Sequence, residues 1–461
     1  VLDVEYVSLQ FPLNLGYLAA VLREADHSVS IVDLNVQPAE LLWSQIDLED
    51  PALVGFGSMT PNYAHAVSLA REARTRLPEA HIVLGGAHAS ALPEQVLKEE
   101  PSFDSVVVGE GERTLLALVE ALERNEDFET IDGLVWRRDG EIVRNAPRAF
   151  MTNLDALPFP ARDLVPLTLY NQNHASRGFS RKLMKIAEII TSRGCPHNCI
   201  FCASRVSTGS RVRGRSVENV VAEIDDCVAR LGVEHFSIED DTFTFRRENV
   251  LALCDEFRRR GLTWNCNARV NDVDAELLKT AAQSGCLKIS FGVESGSARI
   301  LRKVRKGITL EAVRAAVTAA REAGIRFVEC TFLLGSHPDE TLEDIELTRK
   351  LIAELQADLT SVCITCPYPG TEYARLLEER GLLTLPADWS QYVLFGDVKP
   401  YERLTHVTRD EMNRLQRRFI RRFYGSPRYV LRQLGRLRSF DEARYMARLG
   451  LLFAREFWLH R

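Results

Sequence analysis

The chain has 461 residues, 46% of them hydrophobic and 26% charged, with a formal net charge of −6. That length exceeds one ordinary core and predicts two or three domains. The balance is that of a soluble globular protein, and no run of 18 apolar residues occurs, which excludes a transmembrane helix. Charge is uneven: residues 401–461 hold 15 Arg against 6 Asp and Glu, so basicity belongs to the tail alone. All ten cysteines lie between Cys195 and Cys366. The opening Val1-Leu2-Asp3-Val4-Glu5-Tyr6 shows no basic-then-apolar signal, and together these predict the reducing cytoplasm. It also lacks an initiating Met, so the sequence is expected to start inside a longer chain.

From residue 14 to 124, apolar strands alternate with amphipathic helices. A helix is predicted at 15–25, with strands at 29–33, 53–57, 81–86 and 105–109 and a weak first strand at 4–9. Near-continuous apolar strands separated by helices predict a parallel, doubly wound sheet. Such sheets bind ligands at the carboxyl ends of their strands. The candidate contacts are therefore Ser58, Met59 and Thr60, then Gly85, Gly86 and His88, then Gly109, Glu110 and Gly111, with glycine admitting a bulky ligand close to the backbone. His88 reads as a strand-end polar contact in preference to a metal ligand. Asp139-Gly140 between alternating residues predicts a hairpin over 133–144. Pro147, Pro158, Pro160 and Pro166 mark 146–182 as a linker.

Strands and helices alternate again from Lys185. Six strands are predicted, at 186–191, 236–238, 264–267, 288–291, 326–330 and 359–362, with helices near 217–231, 247–260, 274–284, 309–323 and 341–356. The first strand delivers Gly194-Cys195-Pro196-His197-Asn198-Cys199-Ile200-Phe201-Cys202. Three cysteines spaced C-x3-C-x2-C on one loop suit three corners of an iron–sulfur cube, because soft thiolates suit such clusters. With the next cysteine at Cys227, one iron stays open for a small molecule. Zinc held with His197 is the competing reading, although structural zinc motifs usually come as two separated pairs. Cys227, Cys254, Cys286 and Cys330 read as small hydrophobes. Cys363 and Cys366, spaced C-x2-C, read as packing in preference to a redox pair.

The cysteine spacing resembles the signature of the radical S-adenosylmethionine (radical SAM) superfamily. Pro12-Leu13-Asn14-Leu15-Gly16-Tyr17, Gly85-Gly86-Ala87-His88 and Val108-Gly109-Glu110-Gly111-Glu112 resemble the cobalamin-binding domain that precedes many radical SAM domains. The D-x-H-x-x-G motif of the other large cobalamin family is absent. The resemblance implies an α/β chain in four parts: a doubly wound Rossmann-like cobalamin-binding domain at 1–145, a linker at 146–182, a partial (β/α)6 barrel at 183–400 and a basic helical region at 401–461. It implies a 4Fe–4S cluster on Cys195, Cys199 and Cys202, together with S-adenosylmethionine and cobalamin. For S-adenosylmethionine it implies Glu239, Asp240 and Asp241 on the ammonium, Arg269 on the carboxylate, Glu294 with Ser295 on the ribose, and Gly335 with Phe201 at the adenine. A degenerate first domain kept only for packing is the bland alternative.

The implied activity is reductive cleavage of S-adenosylmethionine to a 5′-deoxyadenosyl radical. Most commonly this ends in methylation of an unactivated carbon of a small-molecule or lipid-like substrate, with an external electron donor such as flavodoxin or ferredoxin. A non-methylating oxidative cyclase of tetrapyrrole type shares every motif, and a non-enzymatic iron–sulfur protein is the remaining class. RNA methylthiolation is disfavoured because relatives with that chemistry carry three more cysteines in the first domain, and nucleic acid is not the expected partner. In the tail, Thr408-Arg409-Asp410-Glu411 predicts a helix start. Arg417, Arg418, Arg421 and Arg422 cluster on that helix, and Met446, Leu449, Leu452, Phe453 and Phe457 share a later face. Packing on the barrel is preferred over peripheral membrane contact.

Overall fold

The computed structural model describes residues 9–170, 185–383, 389–393, 400–404 and 406–437, with single positions up to Leu451. Strands β1 (Leu53–Gly57), β2 (His81–Gly85) and β3 (Ser105–Val107) run parallel and adjacent. The hairpin β4 (Leu134–Arg138) and β5 (Glu141–Arg144) extends the same sheet with antiparallel pairing. Its turn takes positive φ at both Asp139 and Gly140, the left-handed pair that matches strand twist.

Ile82, Leu84 and Val106 face one core with Tyr63, Ala66 and Ala70 of the helix Tyr63–Arg76. Val83 and Val107 face another with Leu22, Leu115 and Leu118. Both faces are covered, which is why these strands read as unbroken apolar runs. The strand expected at 29–33 lies in no ladder among the described residues. Its side chains hold the segment instead: Ser30 donates to Glu49 at 2.8 Å, and Asp33 accepts from the Tyr170 hydroxyl at 2.8 Å. The first strand expected at 4–9 falls outside the described residues except for Leu9.

Strand β6 (Ile186–Ile189) opens the second sheet and leads into a short ladder, β7 (Ser192–Arg193) against β8 (Arg213–Gly214). Then follow β9 (His235–Ile238), β10 (Thr263–Ala268), β11 (Cys286–Glu294), β12 (Phe327–Leu334) and β13 (Leu359–Ile364). The six-stranded sheet runs β6-β9-β10-β11-β12-β13, all neighbours parallel. Each strand neighbours the next in sequence, the pattern of a partial barrel wound in one direction.

The five helices expected between strands are present at Val217–Asp226, Arg247–Arg260, Ala275–Gln283, Leu310–Glu322 and Leu342–Leu355. Ser216, Asp274, Thr309 and Thr341 start four of them, each accepting the backbone N–H three residues on. Cys227, Cys254, Cys266, Cys286 and Cys330 are buried in the core between this sheet and its helices.

The chain then returns to the first domain. Trp389 and Tyr392 pack with Cys366 into the same core as Tyr63, Ala70 and Leu84. The helix Arg409–Tyr424, capped by Thr408, lies on β13, with Gln416 donating to the Val362 carbonyl at 2.7 Å. The helix Pro427–Leu434 buries no side chain and exposes Leu431 and Leu434. The apolar face expected at Met446 to Phe457 lies outside the described residues. Among the described residues no helix is long and apolar enough to cross a membrane.

Candidate functional site

The β7–β8 ladder pinches the chain on either side of residues 194–212, so the three cysteines sit on a loop with a fixed base. Gly194 takes φ +90, and a Cβ there would lie 2.3 Å from the Arg211 carbonyl, so only glycine admits this closure. Cys195 donates its N–H to the Gly209 carbonyl at 3.3 Å, closing the loop at its base, and Ile200 donates to the Val304 carbonyl at 3.2 Å, fastening its middle. All ten cysteines are free thiols. Cys199 is buried, while Cys195 and Cys202 are half-buried. Burial pushes the Cys199 thiol up, while Lys306 and Arg269 pull it back. The Arg269 guanidinium donates toward Cys199 Sγ at 3.9 Å. His197 Nε2 lies 4.0 Å from Asp272, and its ring stands edge-on to Phe245.

The residues carried over for S-adenosylmethionine divide into two groups. Asp241 and Arg269 stand at strand ends beside the cysteine loop, and Glu239 follows β9, its N–H held by the Ile189 carbonyl of β6. Asp241 accepts from Thr208 at 2.8 Å, and Glu239 from Ser237 at 2.6 Å and Gln10 at 2.8 Å. Arg269 is buried, donates one nitrogen to the Lys306 carbonyl and leaves Nε without a partner. Glu294, at φ +68, is buried in a 2.6 Å ion pair with Lys306. A Cβ on Gly292 would meet both charged atoms at 2.7 Å, so glycine at that position lets the pair fold back under β11.

The other group is spent on structure. Asp240 is buried and accepts from Thr191 N and Oγ1 and from Ser192 Oγ, at 2.5 to 2.7 Å, so it locks the chain between β6 and β7. Burial pushes its carboxyl up against those donors. Ser295 bonds Thr348 at 3.2 Å and the Ser297 N–H at 3.1 Å. Gly335, at φ +70, donates its N–H to Glu340 and accepts the Tyr373 hydroxyl at its carbonyl, and a Cβ there would reach Leu404 at 2.9 Å. Phe201 packs at the margin of the barrel core.

At the carboxyl edge of the first sheet, a Cβ added at Gly85 or Gly109 would meet nothing within 4 Å. Met59 is 61% exposed there, and the buried Ser58 hydroxyl has no partner. Gly86 is different: at φ +99 it presses against the Ser58 carbonyl. Gly111 packs on Leu18 and Val107. Glu110 does not face this edge, because its carboxylate accepts from Arg213 at 2.7 and 2.9 Å and from the Met151 N–H at 3.0 Å. His88 is buried against Tyr63, ring centroids 4.2 Å apart, and against Trp389 at 4.7 Å, with Nδ1 3.3 Å from Thr60 Oγ1.

Residues 189–352 match the radical SAM superfamily and residues 1–119 match the B12 binding domain. The chain is 33% identical over 432 residues to the uncharacterized methyltransferase PH0819 of Pyrococcus horikoshii, covering 92% of this chain and 90% of that protein. This chain belongs to the radical SAM superfamily, in the branch that carries a B12-binding domain.

It is also 30% identical over 426 residues to the anaerobic magnesium-protoporphyrin IX monomethyl ester cyclase of Cereibacter sphaeroides, covering 90% of this chain and 67% of that one. Among solved structures it shares the fold of the radical S-adenosylmethionine methyltransferase TsrM from Kitasatospora setae, with cobalamin and a [4Fe-4S] cluster bound, at TM-score 0.67 and 22% identity over 82% of this chain and 74% of that one. The apo form of the cobalamin-dependent enzyme OxsB matches at TM-score 0.73 and 17% identity over 97% of this chain and 69% of that one. Membership makes the chain an enzyme of the radical SAM type and bears out the fold class and the cofactor set expected from the sequence.

The residues present fit those cofactors in this radical SAM enzyme. Three soft thiols on one pinned loop suit an iron–sulfur cluster. Among the described residues no three His, Cys, Asp or Glu side chains converge as a single-ion site would need. The orphaned Arg269 Nε suits an anionic ligand group. The open glycine edge and unpartnered Ser58 suit a broad ligand at the strand ends.

Sequence reasoning missed Lys306, Arg193 and Arg213. Lys306 follows a helix end with no motif to flag it. Arg213 lies on the two-residue strand β8, too short to show a pattern, and both Arg213 and Arg215 are buried.

His88 has its own pH signature. Burial lowers it to about 4 from an ordinary value near 6.5. Between those values the unfolded state holds the extra proton, so this residue makes stability rise with pH from about 4 to 6.5. His88→Phe is expected to remove that contribution, on the order of 3 kcal/mol between the two plateaus, and to leave cobalamin uptake intact. Urea unfolding at several pH values checks the first. An absorption spectrum after gel filtration checks the second, and loss of cobalamin in the variant would make His88 a ligand.

Proposed function

We propose that this chain reductively cleaves S-adenosylmethionine and methylates an unactivated carbon of a small-molecule or lipid-like substrate, drawing its electron from an external donor such as flavodoxin or ferredoxin. One observation supports it above the rest: a pinned loop with three free thiols lies at the carboxyl end of the barrel sheet, against Arg269. When bound, the cluster, S-adenosylmethionine and cobalamin supply the redox, radical and methyl chemistry.

The chain's own residues bind and orient. Cys195, Cys199 and Cys202 would hold three irons. Arg269 and Lys306 bring two cations to the Cys199 side, favouring the thiolate there, and the Arg269 guanidinium would pair with a ligand carboxylate. Glu239 and Asp241 offer acceptors for an ammonium. Gly85 and Gly109 leave the backbone bare where a corrin would lie. The identity to the magnesium-protoporphyrin ester cyclase favours a second reading, oxidative ring closure without methyl transfer.

The test is anaerobic reconstitution with iron, sulfide and hydroxocobalamin, gel filtration, then S-adenosylmethionine with a strong reductant. The proposal expects about four irons per chain, retained cobalamin and release of 5′-deoxyadenosine. Methyl transfer consumes a second S-adenosylmethionine, so S-adenosylhomocysteine should match 5′-deoxyadenosine once a substrate is found. Four irons without cobalamin would overturn the methylation reading.

A further inference from the structure

We propose that Glu110 and Arg213 are positioning residues that hold the cysteine loop in fixed register with the carboxyl edge of the first sheet. The inference rests on the reading that this loop carries the cluster and that edge the cobalamin.

The connection is continuous and buried. Glu110 leaves the first sheet between Gly109, whose N–H is held by Ser90 Oγ at 2.9 Å, and Gly111, packed on Leu18. Its carboxylate takes Arg213 Nη1 at 2.7 and 2.9 Å and Arg193 Nη1 at 3.4 Å. Arg193 also donates to Glu112 at 2.6 Å and lies over the Tyr17 ring at 5.2 Å. Arg213 donates its second nitrogen to the Thr208 carbonyl at 2.7 Å and lies over the Phe150 ring at 5.0 Å. Thr208 neighbours Gly209, whose carbonyl holds the Cys195 N–H, and Arg193 stands two residues before Cys195. Thus both ends of the cysteine loop are gripped by Glu110, in the loop that follows β3, and by Glu112, which opens the next helix. The side chains of Arg193, Arg213, Glu110 and Glu112 are 5 to 11% exposed.

Stability alone is a poor explanation for such a network. Desolvating four charges costs about as much as their attraction returns, and apolar residues of like volume would hold two domains as well. A guanidinium–carboxylate network constrains angle as well as distance. Reactions between two bound groups are steeply sensitive to their separation. A rigid charged tie from one ligand edge to the other ligand's loop supplies that constraint.

The experiment uses Glu110→Gln and the charge-preserving Arg213→Lys, each loaded with iron, sulfide and hydroxocobalamin beside the wild type. Iron, bound cobalamin and thermal melting are measured. The electron paramagnetic resonance of the partly reduced protein is then recorded, because the magnetic interaction between cobalt(II) and the reduced cluster reports their separation. Positioning predicts full loading in both variants, with the wild-type interaction shifted or lost. An unchanged interaction at full loading overturns it. Joint loss of the fold and both cofactors in both variants makes the network a stability element and overturns it equally. A wild type that loads iron but no cobalamin sinks the functional reading, and this inference with it, which is a different signature from either.

Discussion

Cys195→Ala, Cys199→Ala and Cys202→Ala are each expected to abolish cluster assembly and release of 5′-deoxyadenosine while leaving a folded chain. A cube with three protein corners has no spare ligand, since the next cysteine in sequence, Cys227, is buried in the barrel core. The loop does not depend on the thiols for its shape. Gly194, the β7–β8 ladder and the bonds from Cys195 N to Gly209 and from Ile200 N to Val304 hold it. Cys195 and Cys202 are half-buried, so their loss should move stability by about 0.5 kcal/mol or less, whereas the buried Cys199 should cost more. Cys330→Ala serves as the control, being a core packing residue with no place on the loop. Iron analysis and the visible absorption spectrum decide it. A loop-cysteine variant that keeps the iron load of the wild type would remove the site from this loop.

Lys306→Met is expected to destabilise the fold by about 3–5 kcal/mol, because it leaves the Glu294 carboxylate buried without its partner. Both side chains are 8% exposed, and the pair lies against Gly292. The double variant Lys306→Met with Glu294→Met removes both charges and should recover much of the loss, since the unpaired charge and not the missing attraction carries the cost. Denaturant unfolding of the three variants forms the cycle. A single variant within about 1 kcal/mol of the wild type would show that the pair is solvated. The same variants probe the ligand site: the resemblance gave Glu294 to the ribose, and the structure gives it Lys306 first. Binding of S-adenosylmethionine should therefore weaken more in Glu294→Met than in Lys306→Met.

Much of this fold is local in origin, which made it readable. The apolar runs at 53–57 and 81–86, the Asp139-Gly140 turn and the Thr408 helix start each act within a few residues of themselves. The segment 29–33 has the composition of a strand, yet strand formation needs a neighbour, and among the described residues it has none. The β7–β8 ladder is too short to leave a periodic pattern.

By itself the sequence determined the chemistry on offer. Three cysteines at C-x3-C-x2-C select soft-metal ligation whatever surrounds them, and glycine at 85 and 109 permits close approach at a strand end. Only the tertiary structure decided which neighbouring carboxylates remain available. Glu239, Asp240 and Asp241 are consecutive, yet Asp240 is buried under Thr191 and Ser192, while Asp241 is exposed beside the loop. Glu110 sits in a glycine-rich strand edge, yet its carboxylate is tied to Arg213, 103 residues away. A side chain's chemistry is intrinsic to its residue type. Its freedom to use that chemistry depends on charges and donors brought from distant parts of the chain, whose cost or gain is set by burial.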